Sequence, residues 1–165
     1  MNVDFLTALK LFFANYANFT GRSTRAEYWW VALFLFVVSM ALSILNLAIL
    51  SLLFSLAMLI PSIAICFRRF HDTGRSGWWV IGLWLASVIG AGIMYGPMFT
   101  TIIANAENPD VLAASLTSYI TNNIGTISVG GLIAVAASIW TIIILILPSA
   151  PDNKYGPNPY GGENA

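Results

Sequence analysis

The chain is poor in charge, and this scarcity excludes most soluble folds. Only 8% of its 165 residues are charged, and its seven basic and seven acidic side chains cancel, whereas 58% of the residues are hydrophobic. A typical soluble domain carries about 25% charged residues, so the composition indicates an integral membrane protein whose main partner is the lipid bilayer. The formal net charge of zero also argues against nucleic acid as a partner.

Cysteine and histidine are as scarce as charge. Cys66 and His71 are each the single residue of their type, which excludes an internal disulfide and leaves too few nitrogen and sulfur ligands for a zinc site. We therefore expect no metal and no cofactor. His71 is followed by Asp72, but adjacent residues rarely orient as a catalytic base and its acid, and the chain lacks a Gly-x-Ser-x-Gly nucleophile motif. The sequence predicts no enzyme.

The longest apolar run covers residues 28–67, which contain no charged residue. As a single helix this run would be about 60 Å long, or about twice the hydrocarbon thickness of a bilayer. We therefore predict a hairpin of two membrane spans. Its turn is expected between Leu45 and Ser51, where Asn46 and Ser51 are the polar residues.

Two further spans follow the hairpin. The third is predicted over residues 78–97 and ends at Gly96-Pro97, and the fourth is predicted over residues 125–147 and ends before Pro148. Proline marks both ends because it has no backbone N–H to continue the hydrogen-bond ladder.

The polar segments around these spans have their own patterns. Residues 98–124 are expected to be extracytoplasmic and to contain a short helix after the turn Asn108-Pro109-Asp110. Residues 68–77 form an Arg-rich connection on the opposite side. The tail, residues 148–165, is rich in proline, glycine and asparagine, so we expect it to be extended.

Residues 1–20 contain one apolar stripe with helical periodicity. Its members are Phe5, Leu6, Leu9, Phe12, Phe13 and Tyr16. The stripe predicts an amphipathic helix, either in the cytoplasmic membrane interface or packed against the protein's own cytoplasmic end. The predicted fold is therefore one all-α domain, a polytopic membrane helical bundle with four transmembrane helices, an N-terminal amphipathic helix and a short extracytoplasmic helix.

Small residues recur at fourfold spacing in the third and fourth spans. These residues are Gly82, Ala86, Gly90, Gly130, Ala134 and Ser138. Such faces let helix backbones approach closely in lipid, so we expect the two spans to pack through them. The alternative to this packing is a homo-oligomer formed through the same faces. Other membrane proteins are further candidate partners of the chain.

The basic residues lie on one side of the predicted spans. They are Lys10, Arg22, Arg25, Arg68, Arg69, Arg75 and Lys154. The segment 98–124 contains Glu107 and Asp110 but no lysine or arginine. Because lysine and arginine accumulate in cytoplasmic loops, we predict a multi-pass protein with both termini in the cytoplasm.

Two similar segments place Gly-Arg-Ser before a tryptophan pair. The pairs are Trp29-Trp30 and Trp78-Trp79, and they are typical of the interfacial aromatic belt. The charged residues in and between these segments form a cytoplasmic cluster of Arg22, Arg25, Glu27, Arg68, Arg69, His71, Asp72 and Arg75. One interpretation is a site for anionic lipid head groups or a phosphorylated ligand. The other is an ion-paired clamp, in which Glu27 and Asp72 bind arginines internally.

These motifs together resemble the bacterial inner-membrane domain-of-unknown-function 805 family. The resemblance rests on the segments Asn18-Phe19-Thr20-Gly21-Arg22-Ser23-Thr24-Arg25-Ala26-Glu27-Tyr28-Trp29-Trp30, Arg68-Arg69-Phe70-His71-Asp72-Thr73-Gly74-Arg75-Ser76-Gly77-Trp78-Trp79 and Asn153-Lys154-Tyr155-Gly156-Pro157-Asn158-Pro159. It implies about four spans and a location in the bacterial inner membrane. It implies no activity, ligand or catalytic residue.

The leading functional hypothesis is an inner-membrane protein with a non-enzymatic structural or interaction role. The alternative is a membrane protein that handles a lipid or a small anion through the cytoplasmic arginines. The two hypotheses differ in whether the arginine side chains are free or already bound within the protein.

Overall fold

The computed structural model describes residues 3–159, which contain six α-helices and no β-strand. The helices are α1 (Phe5–Ala14), α2 (Arg25–Ile44), α3 (Ala48–Asp72), α4 (Trp78–Asn105), α5 (Pro109–Asn122) and α6 (Ile124–Ile146). Four of them, α2, α3, α4 and α6, are long and apolar enough to cross a membrane. The prediction of an all-α protein with four such helices is confirmed.

The turn between α2 and α3 occupies residues 45–47, inside the window expected from the sequence. Asn46 adopts a φ of 52° there. Asparagine is one of the few residues other than glycine that enters the left-handed region readily. The hairpin therefore turns without the glycine or proline that usually marks such a connection.

Helix α4 continues past the point where the sequence predicted the third span to end. Gly96-Pro97 lies within the helix, which extends to Asn105. A proline inside a helix removes one backbone hydrogen bond, here the one that the Ile93 carbonyl would accept, and membrane helices tolerate this loss. The Oγ1 atoms of Thr100 and Thr101 donate to the Pro97 carbonyl at 2.7 and 2.9 Å. The proline alone was thus a misleading stop signal.

The short helix predicted after residue 108 is α5. The Asn108 side chain accepts a hydrogen bond from the Val111 amide at 3.3 Å, and Pro109 occupies the first turn. Both residues favour a helix start, because the first amides of a helix need an external acceptor and proline has no amide to satisfy. After α6, residues 148–159 are not helical, as expected, and the rest of the predicted tail lies outside the described residues.

The described chain forms two compact units. The first contains the chain up to Val80 together with the part from Ile143 onward, and the second is Ile81–Ile142. The core of the first unit consists of Ala8, Phe12, Val31 and Ile65, which are at most 2% exposed. Helix α1 therefore packs against both helices of the α2–α3 hairpin.

This packing uses part of the apolar stripe predicted for residues 1–20. Phe12 is fully buried, but Leu6 is 64% exposed and Phe13 is 45% exposed. The Trp30 indole donates to the Val3 carbonyl at 3.2 Å, which holds the start of α1 against α2. The stripe is thus buried at Phe12 and exposed at Leu6 and Phe13.

In the second unit, α4 and α6 approach closely at two glycines. A Cβ atom added to Gly90 would lie 2.6 Å from the Gly130 carbonyl oxygen and 2.8 Å from the Ala134 amide nitrogen. A Cβ added to Gly82 would meet nothing within 4 Å. Ser138 is exposed, whereas the neighbouring Ala137 is buried. The close contact thus involves only part of the predicted small-residue faces.

We expect Gly90→Ala to destabilise the protein by about 1–3 kcal/mol, the usual range for overpacking. Gly82→Ala is the matched control, and it should be neutral or stabilise by up to about 1 kcal/mol, because alanine is the better helix former. Denaturant titration of both variants in detergent measures the difference. Equal stability of the two variants would contradict the proposed contact at Gly90.

Candidate functional site: a buried arginine–carboxylate clasp

Three of the charged residues predicted to cluster are arginines buried in the first unit. Arg68 and Arg69 lie near the C-terminal end of α3, and Arg22 lies in the loop before α2. Together with Ser23, Glu27 and Asp72 they form a connected set of polar side chains, which we call the clasp. Each member is nearly or fully buried at the side chain.

Asp72 is at the centre of the clasp and is fully buried. Its Oδ1 atom accepts from Arg22 Nε at 3.0 Å and lies 2.9 Å from Arg22 Nη2. Its Oδ2 atom accepts from Arg69 Nη1 and from the Ser149 hydroxyl, the latter at 2.5 Å. Both carboxylate oxygens are thus occupied, which is the condition under which a buried carboxylate can remain charged.

Arg22 connects the loop before α2 to the segment after α6. Its guanidinium donates to the carbonyls of Ala150, Pro151 and Gly156 at 2.5, 3.0 and 3.1 Å. It also donates to the Asp72 carbonyl at 3.1 Å. The planar fork of arginine suits this role, because five N–H donors in fixed directions can serve several acceptors at once.

Arg69 holds the C-terminal end of α6. Its Nε and Nη2 atoms donate to the Leu145 carbonyl at 3.3 Å, and Nη2 also donates to the Leu147 carbonyl. The last carbonyls of a helix have no partner within the helix and carry partial negative charge. A buried cation is therefore well placed at this helix end.

Glu27 and Arg68 form the second half of the clasp. Arg68 Nη2 lies 3.4 Å from Glu27 Oε1, and Ser23 bridges the pair by accepting from Arg68 Nε and donating to Glu27, both at 2.9 Å. Arg68 Nη1 donates to the carbonyls of Asn15 and Asn18 at 3.0 and 2.8 Å. Helix α2 begins next to this pair. Thr24 caps its first turn, because the Thr24 hydroxyl accepts a hydrogen bond from the Glu27 amide at 3.1 Å.

His71 contacts both the loop before α2 and the segment after α6. Its Nδ1 atom lies 3.2 Å from the Gly21 carbonyl oxygen, and its ring stacks on Tyr155 with centroids 3.8 Å apart and planes 7° apart. The Asn153 side chain donates to the His71 carbonyl at 3.1 Å. The ring thus binds the loop and the tail instead of pairing with its neighbour Asp72.

The two Gly-Arg-Ser segments share a turn but differ in the role of their arginine. Gly21 and Gly74 have φ angles of 80° and 76°, so both turns require the left-handed conformation. Arg22 is buried in the clasp. Arg75 is half-buried, and among residues 3–159 its side chain forms no hydrogen bond or ion pair.

Arg25 is exposed and, within the same described range, is also without a side-chain partner. The expectation that Glu27 or Asp72 would bind Arg25 or Arg75 therefore differs from the structure, in which the partners are Arg22, Arg68 and Arg69. The tryptophans of both pairs are at least 38% exposed. This exposure leaves Trp29, Trp30, Trp78 and Trp79 free for contact with lipid.

A cavity of about 300 Å³ adjoins the clasp. Arg22, Glu27 and Arg68 form part of its wall, together with Asn15 and Thr20. The donors of the two arginines are directed at acceptors within the protein, so a ligand in this cavity would have to displace existing hydrogen bonds. In the part of the chain that is described, no three histidine, cysteine or acidic residues lie close enough to hold a metal ion.

Sequence reasoning missed the serines and the tail. Ser23 and Ser149 complete the hydrogen bonding of the two acids, and residues 150–156 supply carbonyls to Arg22. One signal was present, since the motif beginning at Asn153 contributed to the resemblance. Its partner could not be identified, because contacts between residues more than 120 positions apart leave no periodic pattern in the sequence.

Four apolar helices of membrane-spanning length and a polar clasp at their ends define an α-helical integral membrane protein. The chain belongs to the family described as "Protein of unknown function (DUF805)", which matches residues 16–161. This confirms the resemblance seen in its motifs.

Two curated relatives come from Escherichia coli strain K12. The chain is 37% identical to "Inner membrane protein YhaI" over 83 residues, which are 47% of this chain and 67% of the relative. It is 35% identical to "Inner membrane protein YhaH" over 86 residues, which are 46% of this chain and 70% of the relative. No solved structure matches the chain.

We expect Arg22→Gln to lower the free energy of unfolding by about 3–5 kcal/mol, because it removes one partner of a buried ion pair. Arg25→Gln is the matched control, and its effect should stay within about 0.5 kcal/mol, as for other exposed positions. Denaturant titration in detergent compares the two variants. A loss at Arg25 equal to that at Arg22 would show that burial in the clasp does not decide the effect.

Proposed function

We propose that this chain is a multi-pass protein of the bacterial inner membrane with a structural or interaction role and no enzymatic activity. One observation carries the proposal: the buried charged residues of its motifs direct their polar atoms at one another and at the backbone. Arg22, Arg68 and Arg69 bind Asp72, Glu27 and backbone carbonyls. Such a cluster stabilises a fold, whereas a catalytic or transport site needs groups that are free to meet a substrate.

The clasp also supports a topology. It brings together the start of α2, the end of α3 and the segment after α6. Their contact supports an arrangement in which these three chain ends lie on one side of the membrane. All seven basic residues lie in or next to segments on that side, so we propose that this side is cytoplasmic. On this topology α5 is extracytoplasmic, and the exposed part of α1 contacts the cytoplasmic interface.

Single cysteines can test this topology in intact cells. In a Cys66→Ala background, we expect Glu107→Cys to react with an impermeant thiol reagent, and Ala17→Cys and Pro157→Cys to react only after the membrane is opened. All three positions are exposed, so access depends on the side of the membrane. Labelling of residue 17 or 157 in intact cells would reverse or break the proposed topology.

The second candidate function is the binding of anionic lipid head groups. The observation that favours it is that Arg25 and Arg75 have no side-chain partner within residues 3–159, although each precedes a pair of exposed tryptophans. A cation beside an interfacial tryptophan can reach lipid phosphates. This candidate uses arginines outside the clasp, so the two functions predict different effects of substitution.

The stabilities of Glu27→Gln and Arg75→Ala in neutral and anionic lipid distinguish the two candidates. With the structural role, Glu27→Gln lowers stability in both lipids, because Arg68 loses its buried partner, and Arg75→Ala has little effect in either. With lipid binding, Arg75→Ala loses about 1 kcal/mol in anionic lipid alone. Asp110→Asn, an exposed acid in α5, is the control for the acidic substitution.

A further inference from the structure

Helix α3 contains a proline near its middle, and this proline interrupts the backbone hydrogen bonds of the helix. Pro61 lies inside α3 and is fully buried. In an α-helix the amide of residue 61 would donate to the carbonyl of residue 57, but proline has no amide hydrogen. The Ala57 carbonyl is therefore the acceptor that Pro61 leaves without a partner in the helix.

Tyr16, in the turn after α1, supplies the missing donor. Its hydroxyl donates to the Ala57 carbonyl, across 41 positions of the sequence. Ala57 and Pro61 both lie in the uncharged run 28–67, and α3 is long and apolar enough to cross a membrane. An unpaired carbonyl in such a helix is costly, because lipid offers it no hydrogen-bond donor. The tyrosine thus replaces, from another segment of the chain, the hydrogen bond that Pro61 removes.

The clasp holds the turn that carries Tyr16. Arg68 Nη1 donates to the carbonyls of Asn15 and Asn18, which lie on either side of Tyr16 in the sequence. The Asn18 side chain also donates to the Asn15 side chain at 3.0 Å, which closes the turn. Arg68 is itself paired with Glu27. A continuous set of hydrogen bonds therefore connects this ion pair, through the turn, to the proline site in α3.

A tyrosine hydroxyl can leave the Ala57 carbonyl without unfolding either helix. Neither α1 nor α3 uses this hydroxyl in its own backbone hydrogen bonds, so both helices persist when the bond opens. The Tyr16 side chain is 36% exposed, so water can compete for its hydroxyl. Sharp bends in helices occur mainly at prolines, because the ring removes a backbone hydrogen bond. Pro61 is therefore the point at which α3 bends most easily, and the bond from Tyr16 restrains it.

We propose that Tyr16, Ala57 and Pro61 form a latch that couples the docking of α1 to a hinge in α3. While the hydroxyl binds the Ala57 carbonyl, α3 keeps the observed shape and α1 stays packed on the hairpin. When the bond opens, α3 is free to bend at Pro61. The clasp favours the closed state, because Arg68 holds the turn that carries Tyr16. All of these residues belong to the first unit, and the latch requires neither the proposed topology nor the absence of enzymatic activity.

A double-mutant cycle in the full chain, in detergent, tests the latch. Tyr16→Phe removes the hydroxyl and keeps the ring. It should lower the midpoint of thermal unfolding by about 2–4 °C, as expected for the loss of one hydrogen bond. It should also raise the hydrogen-exchange rates of the α3 amides next to Pro61 about five- to tenfold. In a Pro61→Ala background the alanine amide itself pairs with the Ala57 carbonyl, so Tyr16→Phe should change neither quantity.

Two matched controls accompany the cycle. Tyr95→Phe makes the same change at an exposed tyrosine of α4, and it should leave the midpoint and the exchange rates of α3 unchanged. Pro97→Ala removes the proline inside α4 and leaves Pro61 in place. In that background Tyr16→Phe should therefore keep its full effect. A tyrosine that only fills space would lose the same stability in every background, so the rescue by Pro61→Ala is specific to the latch.

Arg68→Lys tests the connection between the clasp and the latch. Lysine keeps a positive charge beside Glu27, but it lacks the planar fork with which Arg68 reaches the two carbonyls of the turn. Arg68→Lys should raise the exchange rates next to Pro61 about two- to fivefold, as expected for weakened hydrogen bonds. The increase should be absent from the Pro61→Ala background.

The outcome of the cycle decides the proposal. Equal effects of Tyr16→Phe with and without Pro61 would overturn it, because the hydroxyl would then act through another contact. Unchanged exchange next to Pro61 in Tyr16→Phe would also overturn it, since the bond would not restrain α3. An increase in Arg68→Lys that persists in the Pro61→Ala background would contradict the control of the latch by the clasp. Tyr16→Phe is a small change at a half-exposed position, so the decisive variant does not depend on an altered clasp.

Discussion

The buried carboxylate of Asp72 is the interaction on which the first unit depends. A fully buried charge is unstable unless nearby groups compensate it, and Asp72 obtains this compensation from Arg22, Arg69 and Ser149. Arg22 lies in the loop before α2, and Ser149 lies after α6. Arg69 lies in α3 and reaches a carbonyl at the end of α6. The need to compensate a single carboxylate therefore determines where the loop before α2, the end of α6 and the tail meet the end of α3.

The two units differ in how they use polar atoms. In the clasp the carboxylates and guanidinium groups meet one another and the backbone, so the polar residues hold chain segments together. Along α4 and α5 in the second unit, by contrast, threonine and asparagine side chains donate to carbonyls about one turn earlier in the same helix. The buried charged residues of the motifs thus join segments of the first unit, whereas these neutral side chains of the second unit bond within their own helices.

Similar sequence segments acquire different roles for a geometric reason. Arg22 and Arg75 each follow a left-handed glycine and precede a tryptophan pair, but only Arg22 reaches Asp72 and the carbonyls of the tail. The third span also differs from its prediction, because the helix ends later than the sequence pattern indicates. Gly96-Pro97 predicts its end, yet α4 continues to Asn105 with Pro97 inside the helix.

The sequence by itself determined the number of long apolar helices, a hairpin turn between residues 45 and 51, the start of α5 and the family. These features depend on composition, periodicity and local capping, which neighbouring residues decide. Only the tertiary structure decided which arginine binds which acid, that α1 packs on the hairpin and that Gly90 contacts α6. These outcomes depend on contacts between residues distant in the chain, and such contacts leave no local pattern to read.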